Sequence, residues 1–305
     1  MPWRLLLAFC LVLLPSFPAS AAPQAGLTLI EDAPAKPSLP RNWRAAHDKL
    51  RRETCALVDR EGLKDLKLSG SAQFSEPQLQ VMQKELPAQG VTIIDLRQES
   101  HGMVNDLAVS WYAAKDWANL GRDVVQVRAD EERRLTGLLK ASRAAVTRVT
   151  KKTPQDEIDQ GQVLEIKVKS VSSEAQLCKR YGLGYYRLAI TDHLRPSDAD
   201  VDRFLVFYRG LPAGTWLHFH CHAGRGRTTT FMFMVDMLKN AADVSLDDLG
   251  QRQCLLGDLD LLEHPPNNWK RQAYQERAAF LRLFYVFAKA GAKGSWMEWV
   301  KGRKK

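Results

Sequence analysis

The sequence has little cysteine: five residues in 305 are too few for a disulfide-stabilised miniprotein, and they lack the paired spacing of a zinc site. After the first 20 residues no apolar run is long enough to cross a bilayer, so we expect no membrane span in the mature chain. Internal repeats are absent. The hydrophobic content of 45% is typical of a folded globular protein.

The formal charge of +9 favours an anionic partner. Nucleic acid, anionic lipid and a small polyphosphate would all satisfy this charge. However, the sequence has no basic stripe with interleaved aromatic residues, which a nucleic-acid-binding surface would need. The composition therefore predicts no nucleic-acid partner.

The N-terminus has the pattern of a secretory signal peptide over residues 1–21. Arg4 precedes an unbroken apolar run at 5–14, and small residues follow at 19–21. A membrane anchor is the alternative, but the run is short for a span and prolines follow it. We therefore expect an exported protein, periplasmic or secreted, in an oxidising compartment. The sequence does not select a disulfide among the four cysteines left in the mature chain: Cys55, Cys178, Cys221 and Cys254.

Strand and helix patterns alternate along residues 22–305, which predicts one domain with an α/β fold around a mostly parallel sheet. The predicted helices cover residues 75–86, 108–120, 129–142, 173–180, 197–208, 228–239, 245–255, 269–290 and 296–301. The predicted strands cover residues 91–96, 144–151, 162–171, 184–190 and 215–219. The strands at 144–151 and 162–171 are expected to pair as a hairpin, forming a small β annex around residues 144–171. Residues 23–40 are rich in Pro and Ala and are expected to have little structure.

The most informative segment is the nine-residue stretch at 220–228, His-Cys-His-Ala-Gly-Arg-Gly-Arg-Thr. A strand, a glycine-bearing loop and a helix N-terminus together point backbone N–H groups into one concavity, which binds an oxyanion. Cys221 lies at its mouth, where positive potential stabilises a thiolate. Arg227 can hold two phosphate oxygens, and the Thr228 hydroxyl is placed to bond the sulfur. The remaining cradle residues are His222, Ala223, Gly224, Arg225 and Gly226.

Two other interpretations of this segment are less favoured. In the first, Cys221 is a small buried residue beside a structural glycine turn. In the second, His220, Cys221 and His222 bind a metal, but adjacent strand residues point to opposite faces and rarely share one ion. Arg225 adds a second cation to the loop, which suggests a highly anionic substrate; an orientation toward solvent is the alternative.

The segment resembles the signature loop His-Cys-x-x-Gly-x-Gly-Arg-Thr of the protein-tyrosine-phosphatase superfamily. More of the chain is similar to one branch, the bacterial protein-tyrosine-phosphatase-like inositol polyphosphate phosphatases, or cysteine phytases. This resemblance implies a protein-tyrosine-phosphatase-like sheet flanked by helices. The similar stretches are residues 39–44, 95–102, 110–112, 116–121, 191–193 and 216–219.

The resemblance also implies roles for residues outside the loop. Asp192, 29 residues before Cys221, matches the family's general acid, although a turn or cap role is the alternative reading of an Asp there. His193 matches a substrate-phosphate contact. Arg44, with Arg41 as the fallback, matches another phosphate ligand. Where the family can have a substrate-contacting lysine, this chain has Ser170; Lys167 and Lys169 are possible substitutes.

A last set of implied contacts lies on the helix predicted at 269–290. Lys270, Tyr274 and Arg277 are spaced i, i+4 and i+7, so they share one helix face. The resemblance implies that this face holds phosphates at the rim of the pocket, with the aromatic ring beside the inositol. Without the resemblance it would be an ordinary solvated face.

The resulting expectation is a phosphatase that removes phosphates from myo-inositol hexakisphosphate (phytate) and lower inositol polyphosphates through a cysteinyl-phosphate intermediate. It needs no metal and no cofactor, so we expect full activity in EDTA. We also expect a mildly acidic pH optimum, because Cys221 must be ionised while Asp192 is protonated. The alternatives are a phosphotyrosine-protein or phosphoinositide phosphatase, which share the loop, and a non-catalytic phosphate-binding module.

Overall fold

The computed structural model describes residues 26–50, 58–263 and 265–303. The predicted signal peptide at 1–21 and Cys55 lie outside these residues. The strands are β1 (Thr28–Ala33), β2 (Arg44–Ala45), β3 (Leu68–Ala72), β4 (Val91–Asp95), β5 (His101–Val104), β6 (Leu107–Tyr112), β7 (Arg143–Lys152), β8 (Ile158–Lys167), β9 (Val171–Ser172), β10 (Gly184–Arg187) and β11 (Trp216–Cys221). The helices are α1 (Glu76–Glu85), α2 (Val124–Ala141), α3 (Glu174–Arg180), α4 (Asp198–Arg209), α5 (Gly226–Asn240), α6 (Leu246–Gly257), α7 (Arg271–Lys289) and α8 (Trp296–Gly302).

The segment at residues 220–228 begins in a five-stranded sheet with the order β10-β4-β11-β3-β2. Its first four strands are parallel, and β2 joins the β3 edge antiparallel. The central strand β11 is buried at five of its six positions, as expected for a parallel strand covered on both faces. Cys221 is its last residue. In parallel α/β sheets, ligands bind at the carboxyl ends of the strands, and the fold puts Cys221 there.

The main hydrophobic core lies between this sheet and the C-terminal helices. Helix α5 is buried along most of its length and contacts β11, β3, α6 and α7. Phe231 of α5, Phe284 of α7 and Trp296 of α8 are almost inaccessible to solvent within this core. Burial of so many aromatic side chains fixes α5, and therefore the loop in front of it, in one position.

The predicted β annex is part of a larger six-stranded sheet with the order β8-β7-β1-β6-β5-β9. The expected hairpin is present, with β7 paired antiparallel to β8. The prediction of a helix at 108–120 is wrong, because most of β6 lies there, paired with both β1 and β5. Five of the six β6 positions are buried, so the strand lacks the polar alternation that would have marked it.

Residues 23–40 were expected to have little structure, and for residues 28–33 this prediction is wrong. Strand β1 lies at Thr28–Ala33 and pairs with β6 along its length. Its backbone partners come from residues far away in the sequence, which local composition does not indicate.

A layer of buried charge joins the two sheets. Residues 96–100 connect β4 of one sheet to β5 of the other. Arg97 donates to Asp32 and Glu99, each at 2.7 Å, and Arg187 lies 3.1 Å from Asp95. Buried charges persist only when they are paired and hydrogen-bonded, and these contacts supply the pairing.

The structure also describes three of the cysteines and all the helices named above. Cys178, Cys221 and Cys254 form no disulfide with one another. Within the part of the chain that the structure describes, no helix combines the length and apolarity needed to cross a membrane.

Candidate active site

The loop between β11 and α5 forms a concavity around Cys221, whose side chain is almost fully buried. Helix α5 begins at Gly226, so its N-terminal amides and the positive end of its dipole face the sulfur. The Thr228 hydroxyl donates to Cys221 Sγ at 3.3 Å. The sequence-predicted relation between these two residues is therefore present in the structure.

Gly224 is required by the shape of the loop. Its φ is +71°, which side-chain-bearing residues rarely adopt. A Cβ at this position would lie 2.2 Å from the backbone nitrogen of Ala72 on the neighbouring strand β3. The loop can therefore pack this closely against the sheet only with glycine there.

Two residues from the N-terminal segment hold the outside of the loop. Asn42 Nδ2 donates to the Ala223 carbonyl at 2.8 Å, and Arg44 Nη1 donates to the Gly224 carbonyl at the same distance. Arg44 Nη2 also donates to Thr229 Oγ1 at 2.8 Å. Arg44 was predicted to bind substrate phosphate. In the structure its buried guanidinium lies against the outside of the loop and supports the loop's shape, and phosphate binding by Arg44 stays a prediction.

Arg227 is buried beside Cys221 and held by two acids. Its two terminal nitrogens donate to the two oxygens of Glu99, at 2.7 and 2.9 Å. Nη1 also reaches the Ile190 carbonyl at 3.1 Å. Nε lies 3.1 Å from Asp192 Oδ1. The guanidinium is therefore fixed at the loop, with one edge toward Asp192.

Asp192 lies in the loop that follows β10, within reach of Arg227. Trp117 Nε1 donates to its backbone carbonyl at 3.0 Å, and its own Oδ1 accepts from His193 N at 2.9 Å. Burial alone would raise the pKa of Asp192, but the charges of Arg227 and His193 outweigh burial and place the pKa below its usual range. In the ligand-free protein this carboxyl group is therefore ionised.

The predicted helix face contributes to the site. Arg277 is buried, donates to the His193 carbonyl and stacks on the Tyr274 ring at 4.9 Å. Its guanidinium lies against Gly226 of the loop. Among the described residues, its Nε and Nη1 have no hydrogen-bond partner. A buried cation with unused hydrogen-bond donors beside the loop is suited to bind an anion. Burial lowers the pKa of Arg277, because the charged guanidinium has lost contact with water.

An open cleft of about 700 Å³ lies over the loop, between His193 and Lys270 on one side and β1 and β7 on the other. Its walls carry six cationic side chains: Lys36, Arg41, Arg148, Lys151, Lys152 and Lys270. Sequence reasoning missed four of them, namely Lys36, Arg148, Lys151 and Lys152. The available signal was the dense run of basic residues along β7. Four acidic side chains line the same cleft, namely Glu31, Asp32, Asp156 and Asp192, so the cations outnumber the acids six to four. This excess of positive charge favours an anionic ligand.

Three other residues lie away from the cleft. Lys167, one proposed substitute for the family lysine, pairs with Arg143 in the β7–β8 register, at the opposite end of the hairpin from Lys152. The neighbouring Lys169 follows it at that end. Arg225 is exposed and donates to the Asp258 carbonyl at 2.9 Å, so its alternative, outward orientation is the one observed.

Two groups of buried acids and histidines have spacings that a metal ion could use: Glu99, Asp116 and His222, and Asp95, His101 and Glu174. In both groups a carboxylate already pairs with arginine. Glu99 accepts from Arg97 and Arg227, and Asp95 lies 3.1 Å from Arg187. An added cation would meet these positive charges, so both groups are better explained as parts of the ion-pair layer.

The comparison with protein families finds one match. Residues 94–239 match the family model described as PTP-like phytase, inositol hexakisphosphate. Effector protein hopD2 of Pseudomonas syringae pv. tomato is 36% identical over 248 residues, which are 80% of this chain and 53% of that protein.

Solved structures are similar over nearly the whole chain. A PTP-like phytase from Bdellovibrio bacteriovorus is 35% identical with a TM-score of 0.71, covering 94% of this chain and 99% of that one. The tandemly repeated PTP-like phytase from Mitsuokella multacida is 38% identical with a TM-score of 0.85, covering 94% of this chain and 49% of that one. Another structure from that organism, of equal similarity, is a PTP-like myo-inositol phosphatase in complex with myo-inositol-(1,3,4,5)-tetrakisphosphate. This chain spans about half the length of the Pseudomonas and Mitsuokella proteins.

Proposed function

We propose that this chain, which belongs to the PTP-like phytase family, removes phosphates from myo-inositol hexakisphosphate and lower inositol polyphosphates. One observation carries the proposal: a cleft with six cations in its walls is lined also by Asp192 and by His222 and Ala223, the residues that directly follow Cys221. A monophosphate would fill the loop and leave the walls unused, whereas a ring bearing several phosphates would use both. The inositol tetrakisphosphate complex of the Mitsuokella phosphatase supports this substrate class.

The proposed reaction has two steps. The Cys221 thiolate attacks phosphorus, and an S–P bond forms as the P–O bond to the inositol breaks. Loop amides and Arg227 hold the phosphoryl oxygens, while Asp192 gives its proton to the departing alkoxide. Asp192 then takes a proton from water, whose oxygen attacks phosphorus. The S–P bond breaks, orthophosphate leaves, and the Thr228 hydroxyl stabilises the returning thiolate.

This mechanism requires a protonated Asp192, although the ligand-free structure favours the ionised form. The contact between Asp192 and Arg227 reconciles the two. A phosphate dianion in the loop would share the Arg227 charge and add negative charge beside the carboxyl group. Both changes would raise the pKa of Asp192, so substrate binding itself would favour the protonated form of this carboxyl group.

The test compares the protein with Cys221→Ser in EDTA and a reductant. Phosphate release is measured from inositol hexakisphosphate, a phosphotyrosine peptide and phosphoinositide vesicles. Release from the inositol substrate that is lost in the variant supports the proposal. Release from only the peptide or the vesicles would contradict the substrate class. Binding without release would identify a phosphate-binding module, and a requirement for added metal would contradict the mechanism.

We also propose that the protein is exported, on the N-terminal sequence pattern alone. Expression of the full sequence in a Gram-negative host, followed by fractionation and N-terminal sequencing, tests this. A mature N-terminus at Ala22 or Pro23 in the periplasm or medium is expected. A cell-retained protein that still begins at Met1 would contradict export.

A further inference from the structure

Asp156 is one of four acidic side chains that line the cleft, together with Glu31, Asp32 and Asp192. Asp156 belongs to the turn between β7 and β8, and its Oδ2 lies 3.0 Å from His193 Nε2. Its carboxylate is also 3.5 Å from Lys152 Nζ and 3.8 Å from Lys270 Nζ. Three separate elements thus direct positive or hydrogen-bonding groups at a single carboxylate.

The backbone fixes the position of this carboxylate. The Asp156 carbonyl accepts hydrogen bonds from the Tyr112 hydroxyl and from Lys115 N, the latter at 3.1 Å. Trp269 Nε1 donates to the Pro154 carbonyl at 3.0 Å and fastens the same turn to the start of α7. Asp156 itself has φ of +65°, which Asp, Asn and Gly tolerate best. These contacts hold the turn through its backbone, so its position does not depend on the charge of the Asp156 side chain that it directs into the cleft.

We propose that Asp156 is a built-in competing anion that determines substrate specificity. Its carboxylate lies between His193, Lys152 and Lys270, where a peripheral phosphate of the substrate would bind. This inference rests on the proposed function, since it assumes a substrate with more than one phosphate. A phosphate dianion carries more charge and more acceptor oxygens than a carboxylate, so it can displace Asp156 from these groups.

Two consequences for substrate choice follow. Every substrate that uses these three groups must compete with Asp156, so the carboxylate weakens binding of every ligand that places a phosphate there, including inositol hexakisphosphate. A small monophosphate that fills only the loop around Cys221 makes no use of them. Burial alone would raise the pKa of Asp156. The His193 hydrogen bond and the charges of Lys152 and Lys270 outweigh burial and lower the pKa, so the Asp156 carboxylate remains ionised at working pH.

The test is Asp156→Asn, which removes the charge but keeps a residue that accepts positive φ. We expect KM for inositol hexakisphosphate to fall about three- to tenfold, the effect of one like charge removed from a partly solvated site. The ratio of kcat/KM for inositol hexakisphosphate to that for para-nitrophenyl phosphate should rise by a similar factor. Glu157→Gln is the matched control, because it removes the same charge from the same turn at an exposed side chain. Its ratio should equal that of the unsubstituted protein.

Several outcomes would overturn the inference. A higher KM for inositol hexakisphosphate in Asp156→Asn would mean that Asp156 helps to hold substrate. Equal losses of kcat on both substrates would mean that it positions the Asp192 loop through His193. An equal rise of the kcat/KM ratio in Glu157→Gln would show that the change in net charge alone, and not the position of Asp156, explains the result. Asp156→Gly, which also accepts φ of +65°, repeats the test if the Asn variant folds poorly.

A binding measurement separates this inference from the proposed function. Calorimetry with inositol hexakisphosphate compares Cys221→Ser with the double variant Cys221→Ser, Asp156→Asn. Tighter binding by the double variant supports the competing anion even if the unsubstituted protein releases no phosphate. Equal or weaker binding contradicts it even if phosphate release confirms the proposed function.

Discussion

Both terminal nitrogens of Arg227 donate to the carboxylate of Glu99, at 2.7 and 2.9 Å, in a fully buried two-pronged pair. Burial would raise the pKa of Glu99, but the charges of Arg227 and Arg97 outweigh it and hold the pKa well below its usual range. Glu99 is therefore a permanent anion behind the loop. It sets the plane of the guanidinium, whose Nε lies 3.1 Å from Asp192 Oδ1.

The first prediction concerns this pair. Glu99→Gln keeps the side-chain shape but removes the charge, so Arg227 loses its two-pronged partner. We expect kcat/KM to fall about 10- to 100-fold, the usual effect of breaking a buried charged hydrogen bond. Steady-state kinetics with inositol hexakisphosphate measures the change.

Glu131→Gln is its control. Glu131 makes a comparable buried contact to Arg187 at 2.7 Å, away from the loop. Both variants should lose thermal stability, but only Glu99→Gln should lose most of its activity. Similar kcat/KM values for the two would show that Glu99 has only a structural role.

The second prediction concerns pH. The profile of kcat/KM reports the free protein, and that of kcat reports the substrate complex. Arg227 lowers the pKa of Asp192. In the proposed mechanism a bound phosphate removes this effect, so the alkaline limb of kcat should lie about one pH unit or more above that of kcat/KM. Asp192→Asn should lower kcat about 10²- to 10⁴-fold and remove this limb.

Asp198→Asn is the matched control for the pH experiment. Asp198 is the other acid near that loop, and its Oδ1 accepts from Arg195 and Trp296. The variant should keep the alkaline limb in both profiles. If the alkaline limbs of kcat and kcat/KM coincided in the unsubstituted protein, substrate binding would not raise the pKa of Asp192, and the proposed protonation of Asp192 by substrate binding would be contradicted.

The sequence predicts the strand, loop and helix start at residues 220–228 well because these elements are local. The nine residues are consecutive, and a strand, two glycines and a helix N-terminus suffice to form the concavity. Glu99 could not be found in this way, since it lies 128 residues from Arg227 and only the pairing of β4 with β11 brings them together. The same holds for Asp156 and Lys152, whose places in the cleft depend on a hairpin joined to β1.

The helix wrongly predicted at 108–120 shows a second limit. Strand β6 lies at the centre of a sheet and is buried on both faces. Its residues are apolar or aromatic apart from Ser110, and a short buried segment of this kind does not distinguish a strand from a buried helix. The partners β1 and β5 decide the conformation, and neither is evident from the six residues themselves.

The third prediction concerns Gly224. Gly224→Ala would place a Cβ 2.2 Å from Ala72 N and impose φ of +71° on alanine, so the loop must move. We expect loss of at least about 100-fold in kcat/KM, since small misplacement of catalytic groups has effects of this size. Gly182→Ala is the control: its φ is +68°, but nothing lies within 4 Å of the added Cβ. It should lose about 1 kcal/mol of stability and keep its activity. An active Gly224→Ala variant would contradict this account of the loop.

The fourth prediction concerns stability against pH. Burial would raise the pKa of Glu174, but the charge of His220 and hydrogen bonds from His101 and His220 lower it to about 2. Its contribution is therefore present above the unfolded value of about 4.3 and is lost as pH falls toward 2. Burial would lower the pKa of His101, but Asp95 raises it to about 10. That contribution is present below about pH 6.5 and is lost as pH rises toward 10.

The free energy of unfolding should therefore be greatest between about pH 4.5 and 6.5. Urea unfolding at pH 3, 5.5 and 9 measures it. In Glu174→Gln the free energy of unfolding should fall less steeply between pH 5.5 and 3, and its fall between pH 5.5 and 9 should be unchanged. Stability that still fell as steeply below pH 4.5 in this variant would assign the acid loss to other carboxylates.

The last prediction concerns the second chemical step. The Thr228 hydroxyl donates to Cys221 Sγ at 3.3 Å, so in the proposed mechanism it would stabilise the thiolate that leaves when the cysteinyl-phosphate is hydrolysed. Thr228→Val keeps the branched shape and removes this donor, whereas Thr228→Ser keeps the donor and removes a methyl group. With a chromogenic aryl phosphate, Thr228→Val should show a burst of product near one equivalent and then a steady rate lowered about tenfold, the effect of roughly 1.4 kcal/mol. Thr228→Ser should turn over without a burst. A burst in both variants, or in neither, would mean that packing around Thr228 matters and its hydroxyl does not.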